Sequence, residues 1–481
     1  MLFNSFAFAI FLPVVFLLYW RVTKTLQQQN ILLLIASYFF YGCWDWRFLF
    51  LLAFSTFLDF FTGLKIMNAS TKRNKQLWLW LSVTINLGFL GFFKYYNFFV
   101  TSFAEAISNL GLHVNPWTLS VILPVGISFY TFHGLSYVFD IYRDRIKAER
   151  NFVEYALFVS FFPLLVAGPI ERATHLLPQI KEPRKFDYSK MVDGLRQILW
   201  GLFKKIIIAD QSAQYVNLIF SDPSSFSGST LLLGAVFFAF QIYGDFSGYS
   251  DIALGTARLF GIELLRNFAY PYFSRDIAEF WRRWHISLSS WFRDYLYIPL
   301  GGSKGGTWMK VRNTFIIFLV SGFWHGANWT FIVWGALNAI YFMPLLLTNK
   351  NRDNLQIVAA GKTFPTFKEL FSMLLTFGLT CFAWIFFRAK DMSHALAYIK
   401  HMFSRSLFSS PNFYSISDAK KTMLFILVFL VVEWIGREQP YAIAKIGNVK
   451  RRYIRWLSYY AIIWVIINYS TKEQTFIYFQ F

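Results

Sequence analysis

The feature that most constrains this chain is a series of apolar runs along its whole length of 481 residues. Many of these runs approach the ~20 residues that a helix needs to cross the hydrocarbon core of a bilayer. By that length criterion there are roughly a dozen, and some are short enough to be re-entrant or interfacial. The pattern predicts an all-α, polytopic transmembrane helical bundle with re-entrant and interfacial helices.

The composition agrees with this interpretation and narrows the function classes. Hydrophobic residues make up 56% of the chain and charged residues only 15%, whereas a soluble domain is nearer a quarter charged. A net charge of +20 could suggest a nucleic-acid partner. However, the Lys and Arg residues lie in short loops between apolar runs, as the positive-inside rule predicts for a membrane protein. We therefore expect the lipid bilayer as a partner and no nucleic acid.

The ends of the first apolar runs indicate a topology. Residues 1–20 have no basic start and no small-residue cleavage site, and Arg21 and Lys24 follow the run. This pattern predicts a retained first helix with its N-terminus outside, not a cleaved signal peptide. We find no internal repeat and no soluble domain. Residues 1–481 are therefore predicted to form a single transmembrane domain.

The two cysteines, Cys43 and Cys381, lie in or beside apolar segments, and no Cys-x-x-Cys pair occurs. The sequence therefore indicates neither a disulfide framework nor a thiolate metal site. We expect no bound metal.

The segment 276–334 contains the first candidates for catalytic residues. The segment opens with Asp276-Ile-Ala-Glu-Phe-Trp-Arg-Arg-Trp-His285, passes through a basic, glycine-rich loop, and reaches Ser321-Gly-Phe-Trp-His325-Gly-Ala-Asn-Trp329. His325 lies in what reads as a membrane-spanning helix. Because polar groups are unfavourable in such surroundings, a titratable ring there is a functional-site hypothesis by default.

His285 is the first catalytic candidate. If residues 278–297 form one helix, His285 shares a face with apolar and aromatic side chains, and Glu279 can pair with Arg283 one turn on. The residues on that face are Trp281, His285, Leu288, Phe292 and Tyr295. Such a mixed helix lies at an interface or lines a polar cavity. His285 would then lie among aromatic rings, and an interfacial histidine with satisfied nitrogens is the structural alternative.

His325 is the second catalytic candidate. Gly322 and Gly326 would let another helix or a ligand approach the backbone closely. Asn328 could fix the tautomer of the ring if the segment stays helical. A neutral imidazole in a dry site can take a proton from a hydroxyl as that oxygen attacks a thioester, and can return it to the leaving group.

Other polar groups have structural explanations that compete with chemistry. His133 has no second polar motif beside it, so we expect a structural role. Two apolar runs, 231–243 and 249–260, flank a segment with Asp245 and Asp251. These carboxylates could bind a cation or a proton, but hydrogen bonding between helices, with glycines and serines that allow close approach, is the commoner use.

The loop after the first candidate contains Gly301-Gly-Ser-Lys-Gly305, which matches Gly-x-Ser-x-Gly only by letter. The hydrolase elbow needs a strand–turn–helix setting, which this loop lacks. A phosphate-binding role for the loop, with Lys304 near a nucleotide carrier, is a further hypothesis.

Taken together, several motifs make the chain resemble the membrane-bound O-acyltransferase (MBOAT) family. The branch it is most similar to contains the alginate and peptidoglycan O-acetyltransferases and the D-alanyl transferase of teichoic acids. The motifs are Pro124-Val-Gly-Ile-Ser-Phe-Tyr130, Gly168-Pro-Ile-Glu-Arg172, Gly244-Asp-Phe-Ser-Gly-Tyr-Ser-Asp251, Phe280-Trp-Arg-Arg-Trp-His285, Ser321-Gly-Phe-Trp-His325 and Phe476-Ile-Tyr-Phe-Gln-Phe481. The segment Tyr295-Leu-Tyr-Ile-Pro-Leu-Gly-Gly302 looks closer to the alginate-acetylating branch.

The resemblance implies a funnel-shaped bundle with a thin floor, in the bacterial cytoplasmic (inner) membrane. The active histidine of the family falls on His325, and its second polar site falls on His285. Asn338 stands where several relatives have histidine, so no role is carried onto it. The resemblance also implies O-acetylation of an extracellular glycan, with acetyl-CoA or another acyl thioester as donor and no permanently bound cofactor. A separate periplasmic or surface acyltransferase partner protein would accept the group.

Two alternatives remain at this point. D-alanyl transfer to teichoic acid-type acceptors fits the same family. A transporter or flippase without chemistry belongs to another class, and it would be favoured by inverted repeats and paired broken helices, which we do not find.

Overall fold

The computed structural model describes residues 1–112, 115–120, 122–166, 168–470, 474 and 476–477. Within these ranges the regular elements are helices, and no strand occurs, which confirms the all-α prediction. Residues 478–481, which are most of the terminal motif, lie outside the described residues.

Among the described residues, five helices are long and apolar enough to cross a membrane, by length and composition. They are Phe48–Asn68, Lys72–Ser108, Gly228–Leu259, Trp329–Leu347 and Phe367–Arg388, and a shorter apolar helix covers Phe6–Val22. This is fewer than the roughly dozen runs counted in the sequence. Several apolar stretches form shorter or broken helices instead. Residues 152–165, for example, contain the helix Phe152–Ser160, followed by the one-turn helix Phe162–Leu165.

The chain divides into two compact units, residues 1–188 with 257–265, and residues 189–256 with 266–481. The prediction of a single domain stays a prediction. The first unit contains the α-helices Phe6–Leu17, Leu26–Gly42, Phe48–Asn68, Lys72–Leu90, Tyr96–Ser108, Ile127–Tyr142, Phe152–Ser160, Phe162–Leu165 and Ala173–Lys181.

Buried polar side chains in the first unit bind one another. Asp59 accepts hydrogen bonds at one carboxylate oxygen from Ser82 Oγ at 2.6 Å and from Asn86 Nδ2 at 2.8 Å. His133 Nε2 accepts from the backbone N–H of Glu171 at 3.1 Å. Such bonds hold membrane helices together, and they give His133 the structural role that the sequence predicts.

The second unit contains the remaining α-helices. They are Tyr188–Phe203, Gln211–Ile219, most of Gly228–Leu259, Ile277–Arg283, Ile286–Phe292, Gly306–His325, Trp329–Leu347, Phe367–Arg388, Met392–Met402, Ile416–Gly436 and Arg452–Tyr469. A π-helical segment, Lys204–Asp210, follows the first of these, and another, Arg293–Tyr297, follows Ile286–Phe292.

The two apolar runs 231–243 and 249–260 are not separate helices, because residues 231–259 belong to one continuous helix, Gly228–Leu259. Its glycines permit the close approach that the sequence predicts. A Cβ at Gly248 would lie 2.8 Å from the carbonyl oxygen of Gly201, and one at Gly244 would lie 2.9 Å from that of Lys204. The neighbouring backbone therefore approaches at both positions.

Ion pairs join the same helix to the segment that precedes it. Lys205 Nζ lies 2.8 Å from Asp245 and 2.7 Å from Asp210, and Lys204 Nζ lies 2.5 Å from Asp251. Asp245 and Asp251 thus have the interhelical role that the sequence favours. Lys204 and Lys205 are both buried, and each is paired with a carboxylate. A charge can be buried when a partner and hydrogen bonds satisfy it.

Glycine also brings together the two helices that follow the glycine-rich loop. A Cβ at Gly322 would lie 2.2 Å from the carbonyl oxygen of Phe331, and one at Gly335 would lie 2.3 Å from that of Phe318. The helix Trp329–Leu347 therefore approaches Gly322 closely. This confirms the predicted close approach at Gly322, with a helix rather than a ligand as the neighbour.

We expect Gly335→Ala to destabilise this helix pair by about 1–3 kcal/mol, because backbone atoms must move to admit the new methyl group. The apparent Tm of the purified protein in detergent should fall. Gly378→Ala is the matched control, since a Cβ at Gly378 meets nothing within 4 Å. An unchanged Tm for Gly335→Ala would contradict the close contact.

Candidate active site

The backbone breaks at the first catalytic candidate, so the predicted single helix over residues 278–297 is wrong. Helix Ile277–Arg283 ends, Trp284 is extended, and His285 has left-handed dihedral angles (φ 44°, ψ 55°) before helix Ile286–Phe292 begins. Backbone groups that would form hydrogen bonds within a continuous helix bond instead to a preceding loop. The N–H of Ile286 donates to Asn267 O at 2.9 Å, and the N–H of Ala269 donates to Arg283 O at 2.9 Å.

The predicted pairing of Glu279 with Arg283 is confirmed at 2.8 Å. Glu279 also pairs with Arg275 at 3.0 Å. The carboxylate therefore links the helix Ile277–Arg283 to the segment before it. Glu279, on the polar face of this helix, makes structural ion pairs.

The His285 ring is buried among aromatic side chains, but these rings come from other segments and not from the predicted helix face with Trp281, Phe292 and Tyr295. Its centroid lies 4.6 Å from that of Phe246, 6.0 Å from that of Trp324 and 6.5 Å from that of Phe268. Nδ1 is 2.9 Å from Oδ1 of Asn267. Burial lowers the pKa of His285 to about 3, because the charged form is poorly solvated there. The imidazole is therefore neutral at pH 7.

His325 ends the helix Gly306–His325 and is 4% exposed. Its ring lies against Trp324, Trp334 and Phe387, with centroids 4.8, 5.1 and 5.2 Å away. These contacts place the ring in a dry aromatic environment of the kind expected for a neutral imidazole base.

The prediction that Asn328 fixes the tautomer of His325 is wrong. Gly326 is extended, with φ −165° and ψ 154°, so the helix does not continue to Asn328. Asn328 caps the next helix instead, because its side-chain oxygen accepts from the N–H of Thr330 at 3.0 Å. Its Nδ2 donates to the carbonyl oxygen of Lys390 at 2.8 Å.

The two candidate histidines share one neighbour. Trp324 lies 6.0 Å from His285 and 4.8 Å from His325, centroid to centroid. The structure therefore brings both predicted residues into one aromatic cluster, although forty positions separate them in the chain.

A cavity of about 560 Å³ opens beside this cluster. Ser321, one helical turn before His325, lines it, and so do Leu288 and Ser289, which closely follow His285. The other lining residues are Trp281, Phe292, Arg293, Tyr297, Ser303, Lys310, Thr314, Ile317, Phe318, Phe342, Leu346, Asn349, Asn351 and Arg352.

The charges along this cavity are positive. Arg293 and Arg352 are exposed and Lys310 is half-buried, whereas Phe292 and Phe318 are buried. No Asp or Glu is among the described lining residues, although Arg293 pairs with the adjacent Asp294 at 2.8 Å. The cavity thus joins an open basic end to an apolar interior.

Sequence reasoning missed these cations and Asn267. Arg293, Lys310 and Arg352 come from three different segments, and only tertiary structure brings them to one cavity. The nearest sequence signal was the basic, glycine-rich loop, but Lys304 itself is exposed and is not among the lining residues.

Asn338 fills a structural role beside the cluster. Its Oδ1 accepts from the indole N–H of Trp281 at 3.2 Å, and its Nδ2 donates to the carbonyl oxygen of Trp334 at 2.8 Å. The amide therefore links the helix Ile277–Arg283 to the helix Trp329–Leu347, which contributes Trp334 to the surroundings of His325.

The apolar helices, several of them long enough to cross a membrane, define a polytopic membrane protein. Comparison with known proteins agrees: residues 130–387 match the model of MBOAT, the membrane-bound O-acyltransferase family. The chain belongs to the membrane-bound O-acyltransferase family. It is a multi-pass O-acyltransferase.

Curated relatives cover most of the chain. The probable alginate O-acetylase AlgI of Pseudomonas aeruginosa is 39% identical over 444 residues, which is 91% of this chain and 81% of the relative. The peptidoglycan O-acetyltransferase of Helicobacter pylori is 38% identical over 433 residues, 84% of this chain and 80% of the relative. The teichoic acid D-alanyltransferase of Bacillus subtilis is 27% identical over 281 residues, which is 56% of this chain and 70% of the relative.

Proposed function

We propose that this enzyme transfers an acetyl group from a cytoplasmic acyl thioester, such as acetyl-CoA, across the bacterial inner membrane for O-acetylation of an extracellular glycan. The observation that carries the proposal is the pair of buried histidines around Trp324. A cavity lined by basic side chains lies one helical turn from His325, at Ser321. The names of the relatives with 38–39% identity support an acetyl group and a polysaccharide or cell-wall glycan.

In the proposed reaction His325 is the general base. Its neutral imidazole takes the proton of the acceptor hydroxyl as that oxygen attacks the thioester carbonyl carbon. A carbon–oxygen bond forms and the carbon–sulfur bond breaks. The imidazolium then returns the proton to the departing thiolate, so the products are an ester and a free thiol, and His325 regains its starting state.

The cavity supplies the proposed donor site. Arg and Lys side chains recognise phosphate groups, and Arg293, Lys310 and Arg352 lie at the open end. The apolar interior, with Phe292, Phe318 and other buried side chains, would hold the uncharged arm of the donor. The thioester would thereby reach Ser321, one turn from His325.

We expect Lys310→Ala and Arg352→Ala each to raise the KM for acetyl-CoA about 10-fold with little change in kcat. Each change removes one charge-assisted contact to phosphate, and about 1.4 kcal/mol corresponds to a factor of ten. Steady-state kinetics in detergent or proteoliposomes measure this effect.

Lys400→Ala, on the helix Met392–Met402, is the control for the loss of one positive charge. Lys304→Ala in the same assay tests the separate hypothesis for the glycine-rich loop, which an unchanged donor KM would remove. If Lys310→Ala and Arg352→Ala both kept the donor KM of the wild type, the donor would not bind at this cavity.

The acceptor and the partner follow from the same proposal. The relatives named for alginate and peptidoglycan act on glycans, so we place the final acceptor among extracellular polysaccharides or cell-wall glycans. We also propose that a separate periplasmic or surface acyltransferase receives the acetyl group first, so that a hydroxyl group of this partner is the acceptor at His325.

D-alanyl transfer is the competing reaction, supported by a relative that covers a smaller part of the chain. Purified protein in proteoliposomes should be given either labelled acetyl-CoA or a labelled D-alanyl carrier protein. Release of thiol from acetyl-CoA, with no turnover of the D-alanyl donor, is the expected result. Turnover of the D-alanyl donor alone would overturn acetyl transfer.

A further inference from the structure

We propose that Asn267 is a positioning residue that holds His285 in the tautomer with its hydrogen on Nδ1, so that Nε2 accepts a hydrogen bond from a substrate O–H or N–H group. The inference rests on the proposed function, and it assigns different tasks to the two histidines. His325 moves the proton, whereas His285 binds a second donor group of a bound substrate.

The contacts of Asn267 fix the orientation of its amide. Oδ1 lies 2.9 Å from His285 Nδ1, 3.0 Å from Ser287 Oγ and 3.4 Å from the backbone nitrogen of Ser287. A backbone N–H can only donate, so the atom that faces it must be the oxygen. The other side-chain atom, Nδ2, donates to Ser250 Oγ at 3.3 Å.

The orientation of the amide determines the tautomer of the ring. Because an amide oxygen only accepts, Nδ1 of His285 must carry the hydrogen. In a neutral imidazole the other nitrogen is then an acceptor. Asn267 and His285 are each 1% exposed, so water does not compete freely for this bond.

The second nitrogen is the one that remains to be satisfied. Nε2 of His285 is buried and has no hydrogen-bond partner among the residues that the structure describes. A buried polar atom left without a hydrogen bond is energetically unfavourable. The ring neighbours are Phe246, Phe268 and Trp324, which offer apolar surface. A substrate group that donates to Nε2 would remove this cost.

The nearby charges do not ionise the ring. Asn267 also lines a small polar cavity of about 20 Å³, and the charged residues of that cavity are Lys204, Asp251, Arg266 and Glu433. Lys204 and Asp251 neutralise each other at 2.5 Å. Burial, and no neighbouring charge, lowers the pKa of His285. His285 therefore acts as a neutral acceptor across the physiological range.

The first test observes the tautomer directly. Solid-state NMR of the whole protein in lipid, labelled with ¹⁵N-histidine and assigned by comparison with His285→Gln, reports which nitrogen carries the hydrogen. We expect a hydrogen on Nδ1 and an unprotonated Nε2 in the wild type. A hydrogen on Nε2 would overturn the proposal.

The second test uses two variants of the positioning residue. Asn267→Leu removes the acceptor oxygen, so transfer should fall about 100-fold and the His285 signal should lose its Nδ1–H form. Asn267→Asp keeps an oxygen in place and should retain transfer at pH 8. Its negative charge raises the pKa of His285, so Nε2 becomes protonated as the pH falls, and transfer should decline at a higher pH than in the wild type.

Asn86→Leu is the control for losing a buried amide, because Asn86 is 2% exposed and lies in the first unit. We expect unchanged transfer per folded molecule for this variant. Full transfer by folded Asn267→Leu, or an Asn267→Asp pH profile identical to that of the wild type, would contradict the positioning role. If the wild type transfers no acyl group at all, the proposed function fails, while the NMR spectrum still decides the tautomer.

Discussion

His325→Ala is expected to abolish acetylation of the cell-surface glycan while the protein still accumulates in the membrane. General acid–base catalysis by a positioned side chain contributes about 10²–10⁴-fold, so the loss should be at least about 100-fold. The ring packs against Trp324, Trp334 and Phe387, and its removal leaves a small void rather than an unpaired charge. Ester-linked acetyl groups on the isolated glycan and the amount of protein in the membrane are the two measurements.

His401→Ala is the matched control, since His401 lies on the helix Met392–Met402 and is only partly buried. It should leave acetylation at the wild-type level. A fully active His325→Ala variant would refute the role of this residue, whereas loss of the protein from the membrane would indicate a folding defect and require His325→Gln in its place.

Filling the cavity is expected to stop transfer as completely as removing the base. Ser321→Phe introduces a ring into the cavity one turn before His325, where Ser321 is 6% exposed. The donor arm would then be excluded from the reacting position, and the turnover of acetyl-CoA should fall to the background rate. Binding of the donor, measured by equilibrium titration of the purified variant, should weaken together with turnover.

Ser458→Phe provides the same change of side chain away from the cavity, on the helix Arg452–Tyr469. It should bind and turn over the donor as the wild type does. Normal donor affinity and turnover in a folded Ser321→Phe variant would show that the thioester reaches His325 by another route.

Hydropathy predicts the fold class because a backbone in lipid must satisfy its hydrogen bonds within helices. The same reasoning singled out His325, although its helix, Gly306–His325, is not among the five described helices that could span a membrane. It could not predict the break at His285, since the hydrogen bonds that stabilise the break come from Asn267 and Ala269 in a preceding loop. The helical spacing of apolar residues continues through this position, so local periodicity predicts a continuous helix there.

Glycine and asparagine signals were read correctly at one site and misread at another. Gly244 and Gly248 were expected to allow close approach between helices, and they do so within one continuous helix. Gly326 and Asn328 suggested continued helix, yet they form the link and the cap between two helices. In each case the neighbouring backbone decides the role of the residue, and its position depends on tertiary structure.

The most direct test of the account is thiol release by purified protein in sealed proteoliposomes. Labelled acetyl-CoA is supplied on one side, and a glycan oligosaccharide with the partner acyltransferase is supplied on the other. The account predicts free thiol on the donor side and labelled ester on the acceptor side with the wild type, and neither product with His325→Ala. Equal thiol release by His325→Ala, or label only when donor and acceptor share a compartment, would contradict it.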